Sequence, residues 1–126
     1  MTQSTASLQI RSETTQENPS ISLLKLEGRF DAEGLPVVLA EIEKIRSTTG
    51  SIRFIVDLEE VTFIGSAGIG IVLSLVEELN SEGGGVVFLN VPEAIQRIFD
   101  VLNVLEFLQI RDDMNAAKQD LMSVKA

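Results

Sequence analysis

Apolar and polar residues alternate in two short runs near the N-terminus, which is the pattern of half-buried β-strands. In the first run Leu8 and Ile10 alternate with polar neighbours, and the second run covers 21–26. The polar segment 14–19 that separates the runs is typical of a turn, and so short a connection favours an antiparallel hairpin. Residues 1–7 are small and polar, and we expect them to be a flexible N-terminus.

The next region carries apolar residues at helical spacing. Pro36 lies where the first turn would be, and Gly50 follows the last periodic position, as at the two ends of a helix. The pattern therefore predicts the first helix of the chain, with its apolar stripe at Leu35, Val38, Leu39, Ile42 and Ile45.

Two short runs, 54–56 and 86–89, are apolar at every position and rich in residues with high β propensity. Such strands suit the middle of a parallel sheet that helices cover on both faces. Between them the apolar period becomes helical, from Ser66 to near Glu82, and the glycines at 83–85 end that helix. A strand, a helix and a strand in this order predict a crossover unit.

The C-terminal third continues the same alternation. Pro92 starts a helix, 107–110 reads as a short strand, and Asp112 or Asp113 caps a final helix. The order ββαβαβαβα predicts a single α/β domain with a mostly parallel sheet, an antiparallel N-terminal edge strand and about four helices. The predicted inward faces of the last two helices are Ile95, Ile98, Phe99 and Leu102, and Met114, Ala117, Leu121 and Val124.

Composition narrows the function classes. The chain has 126 residues, enough for one domain, and its net charge of -9 opposes binding to nucleic acid or to an anionic membrane. It has no cysteine and no histidine, which excludes disulfides, thiolate chemistry and imidazole catalysis. We therefore expect no enzyme, no metal site and no cofactor. With no signal peptide and no apolar stretch of membrane-spanning length, a cytoplasmic protein is expected.

The helix after Ser66 carries more apolar residues than one buried face needs. Its predicted core stripe is Ile69, Val72, Leu73, Val76 and Leu79. Ile71 and Leu75 extend the apolar arc beyond that stripe, next to Ala67 and Ser74. This extension is either a contact surface for a partner or the packing site of a neighbouring element.

The start of this helix exposes backbone N–H donors and one hydroxyl, that of Ser66. Two hypotheses remain open for Ser66: it caps the helix, or it accepts a phosphate. Gly65, Gly68 and Gly70 do not have the spacing of a nucleotide-binding loop, and no lysine follows them. Binding of a small ligand or a nucleotide at this helix start stays a less favoured alternative.

Acidic residues at two places in the sequence also need an interpretation. Asp31 precedes the first helix and either caps that helix or an adjacent turn, or contacts a partner. Asp57, Glu59 and Glu60 follow the buried run 54–56, where carboxylates could hold a cation or act as acid and base. We favour a solvated loop for these three residues because no further ligand group lies near them in the sequence.

The run VDLEEVTFIGSAGIGIVLSLVEEL, followed by GGGVVFLNVPEAIQRIFDVLNVLEFLQI, resembles the STAS domain family, and specifically its bacterial anti-sigma factor antagonists. The upstream LEGRFDAEG is similar to the family's second strand and the loop that follows it. The resemblance covers 8–124 and implies the same sheet and helices as the apolar pattern.

The resemblance also implies a function in transcription regulation without catalysis. Antagonists of this family bind an anti-sigma factor, usually a serine kinase, and thereby free a sigma factor. The kinase phosphorylates a Ser or Thr at the helix start, and a phosphatase removes the phosphate. In the family the helix start reads aspartate, Ser, a second Ser or Thr, and glycine. Here these positions are Gly65, Ser66, Ala67 and Gly68, so the usual acceptor is Ala67 and Ser66 is the remaining candidate.

The sequence therefore predicts a protein-docking domain of the anti-sigma factor antagonist type. A STAS accessory subunit of a transporter or of another signalling complex is the alternative, in which the same surface docks permanently. The predicted partner-binding residues are Asp31, Gly65, Ser66, Ala67, Gly68, Ile71, Ser74 and Leu75.

Overall fold

The structure, a computed structural model, describes residues 2–4, 8–16 and 19–123. These residues form six strands, four α-helices and one short 3-10 helix at Leu105–Phe107. The strands are β1 (Thr2–Ser4), β2 (Leu8–Thr14), β3 (Ser22–Phe30), β4 (Arg53–Ile64), β5 (Gly85–Leu89) and β6 (Ile110–Arg111). The helices are α1 (Leu35–Thr49), α2 (Ser66–Ser81), α3 (Glu93–Val101) and α4 (Met114–Met122).

The strands lie in one sheet in the order β1-β2-β3-β4-β5-β6. β1, β2 and β3 pair antiparallel, whereas β3, β4, β5 and β6 pair parallel. From Leu8 onward the element order is the predicted ββαβαβαβα, and the predicted N-terminal hairpin is confirmed. The sequence predicted no strand before Leu8, but residues 2–4 pair with β2, since backbone hydrogen bonds at a sheet edge need no apolar side chains.

Helices cover the two faces of the sheet unequally. The larger core lies beneath α1, α2 and α3, and the smaller core lies beneath α4 on the opposite face. β4 and β5 contribute alternate side chains to both cores, as strands in the middle of a sheet do. The strand residues of the larger core include Phe54, Val56, Val86 and Phe88, and those of the smaller core include Ile55, Val87 and Leu89.

Strand β4 is much longer than the predicted run 54–56. Compared with its partner β3, β4 has one extra residue between Asp57 and Glu60 and another between Val61 and Phe63. Each extra residue forms a β-bulge and interrupts the alternation of apolar and polar positions. A search for this alternation in the sequence therefore does not detect the full strand. The predicted loop around Asp57 is therefore wrong: Asp57 is a buried strand residue whose Oδ1 accepts a hydrogen bond from the backbone N–H of Glu59 at 2.9 Å.

The segment after α3 also differs from the prediction. α3 ends where Asn103 adopts a left-handed φ of 58° and Val104 N–H donates to the Phe99 carbonyl at 2.9 Å. The 3-10 helix follows at once, so the predicted strand 107–110 is shortened to β6. Leu102, predicted to face the core, is 51% exposed because it lies beyond this helix end. Asp113, rather than Asp112, caps α4, and Val124 lies outside the described residues.

Arg46 joins α1 to α2 through two carboxylates. Its guanidinium contacts Glu78 at 2.6 Å and also pairs with Glu82. Hydrogen bonds to Glu82 and then Glu78 raise the pKa of Arg46 above its ordinary value, so the cation persists at every working pH. The two helices are thereby held together at the end of α2 that lies farthest from Ser66.

Replacing Arg46 by methionine is expected to lower the free energy of unfolding by about 1 kcal/mol, because charge-assisted bonds to two partners are lost. Urea denaturation at low and high salt measures the effect, which should shrink at high salt. Arg97→Met is the matched control, since Arg97 pairs with Glu93 at 2.7 Å on an exposed helix surface. An Arg46 effect no larger than that of Arg97 would contradict the role of this ion-pair network.

Candidate functional site

The junction between β4 and α2 is held to the neighbouring strand. Gly65 is extended, with φ -96° and ψ 178°, and it is the N-cap residue of α2. Its N–H donates to the Phe30 carbonyl at 3.0 Å, and its carbonyl accepts from Ile69 N–H at 3.0 Å. The start of α2 is thus fixed against the end of β3, next to the loop that contains Asp31.

Ser66 is the first helical residue, so the hypothesis that it caps α2 is wrong. The cap is Gly65, and no side chain hydrogen-bonds to the first turn as a cap. Ser66 is exposed, and its hydroxyl makes no hydrogen bond to any described residue. A serine hydroxyl without a structural partner is available to a second molecule or to a modifying enzyme.

Gly68 has a packing role instead of a docking role. It is buried, and a Cβ built on it would lie 2.6 Å from the Phe30 carbonyl oxygen and 2.9 Å from Cγ1 of Ile64. Only a residue without a side chain lets α2 approach the strand ends this closely. Gly68 is buried on the side of α2 that meets the strand ends, which corrects the prediction that it contacts a partner.

The buried stripe of α2 runs through Ile69, Val72, Leu75 and Leu79. Leu75 is only 7% exposed and belongs to the larger core, so it is not available as a partner-binding side chain. Leu73 and Val76, which the sequence assigned to the core stripe, are half-buried on the flank. The helix is rotated about its axis relative to the prediction because its Gly68 side, rather than its Leu73 side, meets the strand ends.

Away from this buried stripe, α2 carries a strip of uncharged and mostly small residues. We call this strip the outer face, and it consists of Ser66, Ala67, Gly70, Ile71 and Ser74. Ser66, Gly70 and Ser74 are exposed, and Ala67 and Ile71 are half-buried. Ile71 packs partly against the larger core, as the packing hypothesis expects, and its contact with a partner stays a prediction. A Cβ built on Gly70 meets nothing within 4 Å outside its own helix backbone.

The Asp31 loop lies against the junction. A Cβ on Gly65 would be 3.7 Å from Cβ of Asp31 and 3.3 Å from the ring of Phe63. Asp31 accepts the Glu33 N–H at 3.2 Å and pairs with Arg29 at 3.5 Å, so it stabilises its own turn and does not cap α1. Asp31 and Gly65, two of the predicted partner-binding residues, therefore lie next to each other.

Two residues beside this junction were not predicted from the sequence. Phe63 is 37% exposed, and the Arg29 guanidinium lies 4.1 Å from the centre of its ring. Side chains alternate along a strand, so Phe63 would be expected on the same buried face as Val61. The bulge at residue 62 shifts this alternation and turns Phe63 outward. Arginine stacked on an exposed aromatic ring is a common anchor in protein interfaces. The only sequence signal was an arginine near the end of β3.

Neither a cluster of metal-binding side chains nor a membrane-spanning helix is present among the described residues. Within residues 2–4, 8–16 and 19–123 there is no group of three or more acidic side chains placed to hold a metal ion. In the same residues no helix has the length and apolar character needed to cross a bilayer. At the junction the described residues present the exposed Ser66 hydroxyl, an uncovered helix position at Gly70 and the Phe63 ring stacked with Arg29.

Solved structures with this fold include signalling and transport proteins. The anti-sigma factor antagonist SpoIIAA in its unphosphorylated form has a TM-score of 0.71 and 20% identity, over 88% of this chain and 95% of that chain. SpoIIAA of Bacillus has also been solved in its phosphorylated form, with a TM-score of 0.67 and 19% identity over 88% of this chain and 98% of that chain.

Two further structures extend the comparison. An anti-sigma factor antagonist from Mycobacterium paratuberculosis gives a TM-score of 0.73 and 18% identity over 90% of this chain and 95% of that chain. The murine anion transporter Slc26a9 gives 0.66 and 13% over 79% of this chain but only 17% of the transporter. These identities establish a shared fold. The family model of the STAS domain matches residues 13–117, most of the sequence, and the chain therefore belongs to the STAS domain family.

Proposed function

We propose that this domain is an anti-sigma factor antagonist that binds an anti-sigma factor of the serine kinase type through the outer face of α2, and thereby frees a sigma factor. The family and the fold shared with SpoIIAA support this class of function. The observation that carries the proposal is Gly70, a glycine in the middle of a helix face that nothing in the described chain covers.

No packing contact among the described residues explains Gly70. A helical glycine costs about 1 kcal/mol relative to alanine, so its presence calls for a compensating contact. Gly68 is explained by the adjacent strand ends, but Gly70 points into open space. A partner that approaches the helix backbone closely at this position supplies the missing reason, as small residues do wherever two backbones must come near each other.

Charge defines the surroundings of the outer face. The face itself is uncharged, whereas Glu77 and Glu78 lie farther along α2 and the whole chain carries a net charge of -9. The partner should therefore present a neutral centre and a basic rim, and electrostatic attraction should chiefly speed their association. High salt should slow that association much more than it speeds dissociation.

Replacing Gly70 by alanine tests the proposal. We expect the free domain to become more stable by about 0.5–1 kcal/mol, because alanine is the better helix former. Binding to the anti-sigma factor should weaken about tenfold or more, because the new methyl group holds the two surfaces apart. Urea denaturation measures the first effect, and calorimetric titration of the purified partner measures the second.

The partner is first retrieved from native cells with the wild-type domain and identified by mass spectrometry. Asn80→Ala is a matched control, because Asn80 is exposed on the same helix but lies away from the outer face. Retrieval of a serine kinase whose affinity is unchanged by Gly70→Ala would contradict docking through this face. Retrieval of no anti-sigma factor would contradict the proposed function itself.

A second candidate is an accessory STAS domain of a transport complex. Two observations favour it: the STAS domain of Slc26a9 shares the fold, and Ala67 stands at the position of the family's phosphate acceptor. A surface that no phosphate controls suits a permanent contact. The same retrieval experiment separates the two candidates, since a transport protein and no kinase would be recovered.

A further inference from the structure

The sheet face beneath α4 is covered incompletely. Among the described residues α4 is the one helix on this face, and it packs on β4, β5 and β6. β2 and the start of β3 have no helix above them on this side. Leu23 of β3 consequently stays half-buried at the margin of the smaller core, next to Met114 of α4.

A cavity of about 270 Å³ lies between α4 and the hairpin of β2 and β3, and we call it the α4 cavity. Its base is apolar, but Ile21 and Ile55 are buried there, at 3% and 0% exposed, and offer a ligand almost no surface. This volume is slightly below the range of about 300–1,000 Å³ that is typical of small-molecule pockets, so the cavity suits a small ligand. Its remaining lining residues are Glu13, Thr14, Thr15, Gln16, Leu23, Met114 and Lys118.

The polar groups of the cavity include two donors. The Thr15 hydroxyl oxygen accepts the Ile21 N–H at 3.0 Å, which leaves its own proton to donate elsewhere. Lys118 is half-buried and makes no ion pair with any described residue. Glu13 is the opposing charge, but it is exposed at the rim, where water screens it.

We propose that the α4 cavity binds a small aliphatic carboxylate. The hydrocarbon chain lies against the half-buried side chains of Leu23 and Met114, and the carboxylate accepts hydrogen bonds from the Lys118 ammonium group and the Thr15 hydroxyl. The donors favour an anion over a neutral or cationic ligand, and the apolar side chains favour a chain over a bare carboxylate. This site lies across the sheet from α2 and does not depend on the proposed function.

The test uses the purified domain and the sodium salts of butyrate, hexanoate and octanoate as probes in calorimetric titrations. We expect saturable binding of octanoate about fifteenfold tighter than that of hexanoate, since two more methylene groups are buried. Octylamine, which has the same chain and the opposite charge, should bind at least about tenfold more weakly than octanoate.

Two variants examine the charges. Lys118→Met keeps the apolar stem and should weaken octanoate binding at least about tenfold. Glu13→Gln should tighten octanoate binding about twofold by removing the like charge. Lys25→Met is the matched control, because Lys25 is a half-buried lysine on β3 that does not line the cavity, and it should leave the affinity unchanged.

Both variants change partly exposed side chains, and circular dichroism confirms that they fold before titration. Absence of saturable octanoate binding to the wild-type domain overturns the proposal. Equal effects of Lys118→Met and Lys25→Met also overturn it, as does an affinity independent of chain length.

Discussion

Replacing Gly68 by alanine is expected to lower the free energy of unfolding by about 2 kcal/mol, the middle of the range for overpacked sites. The added methyl group would lie 2.6 Å from the Phe30 carbonyl oxygen, and that oxygen already accepts the Gly65 N–H. The start of α2 must therefore move away from β3, and the smaller backbone entropy of alanine recovers only part of the cost. Urea denaturation followed by circular dichroism measures the change.

Gly70→Ala provides the control for this prediction, because it makes the same chemical change two residues later on the open side of α2. Its expected effect has the opposite sign, so the difference between the two variants should be about 3 kcal/mol. Destabilisation by both substitutions to the same extent would mean that α2 does not press on the strand ends at Gly68. Stabilisation by both would lead to the same conclusion.

Replacing Ser66 by aspartate is expected to weaken binding of the anti-sigma factor by about 100-fold. The exposed Ser66 hydroxyl lies at the start of an uncharged face, and a carboxylate there becomes desolvated and unpaired when the partner docks. A phosphoryl group, with a charge of about -1.5 to -2, should act in the same direction and more strongly. Calorimetric titration of the purified partner measures both effects.

Two controls accompany this substitution. Ser66→Ala should bind like the wild-type domain and should resist the effect of the kinase and ATP. Ser81→Asp adds the same charge at the other end of α2, where the hydroxyl donates to the Glu78 carbonyl at 2.7 Å, and it should leave the affinity nearly unchanged. Unchanged binding by Ser66→Asp, with no phosphate on the wild-type protein from native cells, would remove Ser66 as the control point. The titration with Gly70→Ala would then be the remaining test of docking through the outer face.

The position of Phe63 suggests how the outer face could be extended into a larger interface. Gly65 leaves room for the Phe63 ring, since even a Cβ at residue 65 would lie 3.3 Å from it. The exposed ring, which is stacked with Arg29, lies beside the start of the outer face.

Periodicity sufficed to predict most of the fold. Helical spacing predicted a helix ending before Gly50, observed as α1 (Leu35–Thr49), and one from Ser66 to near Glu82, observed as α2 (Ser66–Ser81). The short polar turn predicted the antiparallel β2 and β3 pair. These features depend on local properties of the chain, namely which side chains avoid water and which residues end a helix. The family resemblance was confirmed over 13–117 for the same reason, because it rests on the same ordered elements.

The errors occurred where distant segments meet. The two bulges in β4 are defined by its pairing with β3, so a single strand's pattern could not predict that Phe63 would be exposed. Leu75 and Leu73 are both apolar and lie on adjacent sides of α2, and the close approach at Gly68 decides which of them is buried. Ser66 does not cap α2, because the hydrogen bond from Gly65 N–H to the Phe30 carbonyl holds Gly65 in the cap position.

The sequence by itself determined the class of fold, the order of its elements and the location of the candidate site at the start of α2. The residue type at position 67 is also fixed by the sequence, and the resemblance to the STAS family aligns this alanine with the usual phosphate acceptor. Only the tertiary structure decided which side chains of that site face outward: Ser66, Gly70 and Ser74 are exposed, whereas Gly68 and Leu75 are buried. The reason is physical, because the rotation of a helix is fixed by the contacts it makes with the sheet, and those contacts join residues far apart in the chain.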